Sequence, residues 1–151
     1  MESRLRLRRR HWLAWMGLCG ALAVHVVDEA STGWLDWYNP TVRAIHEQYQ
    51  FVLLPIVLPS FTFEVFLSLL IFAVVMLTGA SYFVWKGRWA MRPVSHIFAA
   101  VLLLNGLFHI AHSIYMRKLM PGVYTSPLLL AASIALIAYT RAYQKWRPPF
   151  K

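Results

Sequence analysis

Apolar positions dominate four stretches of the chain: His11–Ala30, about Phe61–Trp85, about Val94–Tyr115 and about Val123–Tyr143. A helix needs about 20 mostly apolar residues to cross the hydrocarbon core of a bilayer. Each stretch is long enough, so the pattern predicts four membrane-spanning helices. The second stretch is the least interrupted, whereas the first and third carry ionisable residues inside them. The expected architecture is all-α: an integral membrane four-helix bundle, one transmembrane domain over 1–151 with no soluble domain of its own. The longest connection, Ser31–Ser60, contains the turn signals Gly33 and Asn39-Pro40. Asn39 as N-cap and Pro40 at the first helical position predict a short helix over Pro40–Gln50. The apolar run 51–59 is too short to span and is broken by Pro55 and Pro59. It is expected to pack against the ends of the helices as a lid. Pro121-Gly122 has the signature of a type II turn between the last two spans.

Composition and charge orient this picture. Of the 151 residues 59% are hydrophobic and 14% charged, against about a quarter charged in a soluble domain. The net charge of +9 could point to nucleic acid, but its distribution fits the positive-inside rule better, and no nucleic-acid partner is expected. If four helices alternate, twelve of the fifteen Lys and Arg fall on one side, leaving Arg43, Arg117 and Lys118 on the other. Both termini are therefore expected in the cytoplasm, with the connection between the first and second helices an apolar extracytoplasmic loop. Trp12, Trp15, Trp34, Trp37, Tyr38, Tyr82, Trp85, Trp89, Tyr143 and Trp146 cluster near the expected helix ends as an aromatic belt. A cleaved signal sequence is the rival reading of the basic N-terminus, with Ala21 and Ala23 as the cleavage site. The first run continues past that site to His25, Asp28 and Glu29, which favours a retained helix. Cys19 is the only cysteine, so no intrachain disulfide is expected.

The candidate chemistry lies in polar residues inside the spans, where an ionisable group costs roughly 2.5–3.5 kcal/mol at the helix centre. His25, Asp28 and Glu29 lie at i, i+3 and i+4, and Asn105, His109 and His112 at i, i+4 and i+7, so each trio forms a stripe on one helix. His25 follows His11, and His109 follows Ser95, by fourteen residues. At about 1.5 Å per residue both imidazoles stand about 21 Å above the cytoplasmic end. Glu64, Thr125 and Ser126 enter the same outer half from the opposite end, while the inner half is expected to be almost wholly apolar apart from His96. Plainer readings stand beside the functional one. Glu29 reaches headgroup water, Asn105 joins helices, His112 sits at the interface, and Glu64 is a first-turn acid favoured by the helix dipole.

The segments H25-V-V-D28-E29, N105-G-L-F-H109 and P121-G-V-Y-T125-S126 resemble, in order and spacing, the HXXEE family of small bacterial integral membrane proteins. Asp28 stands where the family motif has its first Glu, so a carboxylate is kept with shorter reach. The resemblance covers most of the chain and implies a multi-pass protein of the bacterial cytoplasmic membrane, without supplying an activity. His25, Asp28, Glu29, Asn105 and His109 match its motifs, whereas Glu64 and His112 rest on depth alone. Three functions stay open. In the first, His25, Asp28, His109 and His112 ligate zinc or non-haem iron, Glu29 or Glu64 is the general base, Asn105 orients a ligand or substrate, and the enzyme acts on a lipid or other apolar molecule. In the second, the same residues relay protons or bind a small ligand without metal, a homo-oligomer supplying what one protomer lacks for transport. In the third, they only lock helices together in a structural or accessory subunit.

Overall fold

The computed structural model describes residues 2–49 and 58–145, and among these there are five helices and no strand. They are α1 (Glu2–Thr32), α2 (Trp34–Tyr49), α3 (Phe63–Trp85), α4 (Met91–Tyr115) and α5 (Ser126–Lys145). Four are long and apolar enough to cross a membrane: α1 from Leu5 to Thr32, α3, α4 and α5. The apolar run expected as a lid lies outside the described residues up to residue 57, as does Trp146.

α1 packs along α3 on one side and α5 on the other, and α5 packs along α4. α1 and α4 approach less closely, but their side chains meet at three levels: His11 with Ser95, Trp15 with Phe98, and His25 with His109. Residue numbers rise together along both, so the two helices run parallel. Contacts of His25 with Thr125 and of His11 with Tyr143 show that α5 runs the opposite way. Trp15, Leu18, Leu129 and Leu136 are fully buried between the helices. The Trp15 indole also donates to the Leu77 carbonyl at 3.0 Å, tying α1 to α3. Trp15 and Tyr143 are therefore buried and not part of an interfacial belt. The outward face of α3 is bare: Phe72, Val75 and Met76 are each more than half exposed, as a lipid-facing surface would be.

Two turns shape the end that holds the polar cluster. Gly33, at φ 78°, separates α1 from α2. α2 begins at Trp34, earlier than Asn39 and Pro40 imply, and Pro40 lies inside it. Pro40 is exposed, so the carbonyl left without a helical donor can turn to solvent. The Asn39 side chain does not cap a helix. It brackets Phe61, donating to the Phe61 carbonyl at 2.8 Å and accepting from the Phe61 amide at 3.1 Å. At the other turn, Val123 N–H donates to the Met120 carbonyl at 3.1 Å across Pro121 and Gly122, with Gly122 at φ 83°, as a type II turn requires. α5 starts only at Ser126 because Pro121–Thr125 remain in turns.

Candidate metal centre

α1 and α4 each bring an imidazole to one buried spot. His25 and His109 are fully buried, with ring centroids 5.0 Å apart. Glu29, one turn beyond His25 on α1, lies between them. Its Oε1 is 3.1 Å from His109 Nε2 and 3.5 Å from His25 Nε2. The three residues can each offer one ligand atom, all within 4.8 Å of one another. Neither of these Nε2 atoms makes a hydrogen bond of good geometry, nor does His109 Nδ1. Buried polar atoms are nearly always partnered, so converging nitrogen atoms around a carboxylate need an explanation.

The far side of His25 is held by Thr125. Asp28 Oδ2 accepts from the Thr125 amide at 3.0 Å and from its hydroxyl at 2.8 Å. Once that hydroxyl donates to a carboxylate, its oxygen can only accept from His25 Nδ1, 2.8 Å away. The chain Asp28–Thr125–His25 therefore selects the Nδ1–H tautomer and leaves the His25 Nε2 lone pair directed at the cluster. A carboxylate behind a ligating imidazole commonly has this effect in metal sites. His109 is positioned by shape. Trp34 covers it at 4.9 Å between centroids, and Gly122 lies against it, so that a Cβ on Gly122 would stand 2.7 Å from the ring.

The sites expected from sequence separate here. Depth counting brought His25 and His109 to one level, and they do meet. Glu29 does not reach headgroup water as its plainer reading has it, for it is about as buried as Asp28, at 6% and 8% exposure. Glu29 has the place among the imidazoles that a ligand set built on Asp28 gave to Asp28, which instead serves Thr125. His112 does not join the cluster: it stacks on Phe108 at 5.4 Å and meets Trp37 at 4.6 Å. Glu64 is exposed in the first turn of α3, and Asn105 is half-buried on α4 outside the trio. Thr125 and Trp34 were legible only as a polar residue at the right depth and as one ring of a belt. Buried polar residues also stand away from the cluster, where the sequence predicts an almost wholly apolar interior. His11 is buried against Ser95 at 2.9 Å, and Ser133 and Thr140 are fully buried.

A family model described as a protein of unknown function with HXXEE motif matches residues 15–136. The chain belongs to the HXXEE family. The match covers most of the chain, including both imidazoles, both carboxylates and the turn that packs on His109. Within the motif, the position changed to Asp28 is the one that serves Thr125, and the final Glu29 is the one between the imidazoles. No curated protein and no solved structure matches the chain.

Proposed function

We propose that this HXXEE protein crosses the bacterial cytoplasmic membrane four times as a helix bundle with both termini inside. In its outer half His25, Glu29 and His109 hold one divalent ion, zinc or iron, and the site acts on a lipid or other apolar substrate. The carrying observation is the convergence of two buried imidazole nitrogens without good hydrogen-bond partners on one buried carboxylate oxygen. Two imidazoles, a carboxylate and an open position form a donor set used by zinc hydrolases, and the same donors suit non-haem iron. The span between donors fits an ion at about 2.0–2.2 Å from each after a small inward shift. Such an ion supplies Lewis acidity and lowers the pKa of a coordinated water. The protein's own part is to orient His25 through Thr125, to hold His109 between Trp34 and Gly122, and to exclude bulk water.

A purely structural role fits less well, because side chains that only lock helices together end in satisfied hydrogen bonds. Proton transport has less support, because the fully buried Leu18 and Leu129 separate the cluster from the buried polar residues further along the bundle, Ser133, Thr140 and the His11–Ser95 pair. Elemental analysis of the purified full-length protein tests the reading. The expected content is about one zinc or iron per chain, as a single site requires. It should be lost in His109→Ala and Glu29→Gln and kept in Glu64→Gln. A wild-type protein that stays metal-free after zinc is added back overturns the metal site.

A further inference from the structure

A cleft of about 280 Å³ opens beside the cluster, with Glu29 in its wall. Ala30, Trp34, Phe61, Phe63 and Phe66 are among its apolar lining, with Asn39 and Asp36 as its other polar residues. We propose that this cleft admits, from the outer leaflet, the uncharged polar end of a single-chain amphiphile: an ester, amide or alcohol on an aliphatic tail. What happens to that end at Glu29 rests on the metal reading; the binding itself rests on the cleft.

Four features select this class. The first is position. Phe63 and Phe66 belong to the first turns of α3, the helix with the bare outward face, and Phe63 is itself 49% exposed. A tail can lie along that face without leaving an apolar environment. The second is size. At about 30 Å³ per water, the cleft has room for roughly nine waters, enough for a small head and its first methylenes but not for a two-chain lipid. The third is charge. No Lys or Arg lines the cleft, so an anionic head finds no basic side chain there, and the charge of an ion held at Glu29 is offset by the carboxylates of Glu29 and Asp36. The larger cleft on the other side of Gly33 differs, since Lys118 lines it. The fourth is hydrogen bonding. Asn39 uses one N–H and one lone pair on Phe61, which leaves one of each for a neutral carbonyl or hydroxyl. Glu29, more than nine-tenths buried, marks the deep end of the cleft.

Photo-labelling of the full-length protein in lipid nanodiscs tests this. The probe is a monoacylglycerol with a diazirine close to its carbonyl, and the control is the same chain on glycerol phosphate. The neutral probe is expected to label peptides containing Trp34 and residues 58–66 about tenfold more than the anionic one, a difference of about 1.4 kcal/mol in binding. Ala30→Phe, which fills the cleft, should remove that labelling. Ala30→Val, a smaller change that keeps the fold, should reduce it. Equal labelling by both probes, or labelling indifferent to both substitutions, overturns the proposal. Metal content measured on the same samples keeps the two readings apart. Cleft labelling in a protein that binds no metal leaves the binding site standing and removes the metal, whereas metal without cleft labelling does the reverse.

Discussion

The hydroxyl of Thr125 does more in this protein than its size implies. It is the single link between the Asp28 carboxylate and His25 Nδ1. Thr125→Val keeps the shape and removes the link, so His25 loses the partner that selects its tautomer. The expected result is a metal affinity about 10–100-fold weaker, the usual cost of losing an outer partner of a ligand. Thr125→Ser should retain most of it. Competition with a chelator of known affinity reads both, and equal affinity in Thr125→Val and wild type would remove Thr125 from the site. Depth counting places a residue along a helix axis well, because the rise per residue is nearly constant. It places a residue around the axis poorly. Asp28 and Glu29 differ by about 100° of rotation at 3.6 residues per turn. Which of them faces His109 and which faces Thr125 depends on where α4 and α5 stand around α1. Glu29 therefore takes the place among the imidazoles, and the shorter Asp28 has the reach that Thr125 needs.

At the scale of elements, the end that holds the polar cluster is shaped by two connections that read differently in sequence. Pro121-Gly122 is legible because a proline followed by a residue at positive φ defines a type II turn locally. That Gly122 also makes room for the His109 ring is not local and leaves no trace in the pattern. Asn39-Pro40 misleads for the opposite reason. Both residue types favour helix starts, yet Asn39 spends its side chain on Phe61, across a loop, and Pro40 sits mid-helix where its exposure makes the lost hydrogen bond tolerable. Asn39 thus fixes the loop before α3 to α2, and Tyr38 adds a hydrogen bond to the Pro59 carbonyl at 3.1 Å. Asn39→Leu should cost about 1–3 kcal/mol for two hydrogen bonds at roughly 0.5–1.5 each. Hydrogen exchange at the Phe61 amide should rise before exchange in α4 does. Unchanged protection at Phe61 would show that the bracket contributes nothing in the membrane.

At the scale of the whole molecule, α1 and α4 run parallel and α5 antiparallel to them. Arg8 of α1 lies near Trp85 and Gly87, and His11 stacks on Tyr143. The beginning of α1, the α3–α4 connection and the end of α5 therefore meet at one end, where most of the Lys and Arg gather. A green fluorescent protein fused to the C-terminus is expected to fluoresce, and alkaline phosphatase fused at the same place to stay inactive. The reverse pair of results would invert the protein in its membrane and place the His25–Glu29–His109 cluster near the cytoplasm. Four apolar spans, the common depth of His25 and His109, and the Pro121-Gly122 turn were all determined by sequence alone. Each depends on hydropathy, helical rise or backbone dihedrals, which act over a few neighbouring residues. The order in which helices neighbour one another, the exchange of places between Asp28 and Glu29, the turning of His112 onto Trp37 and the burial of His11 against Ser95 were decided only by tertiary structure. These depend on how each helix is rotated about its axis, and that rotation is set by packing against helices distant in sequence.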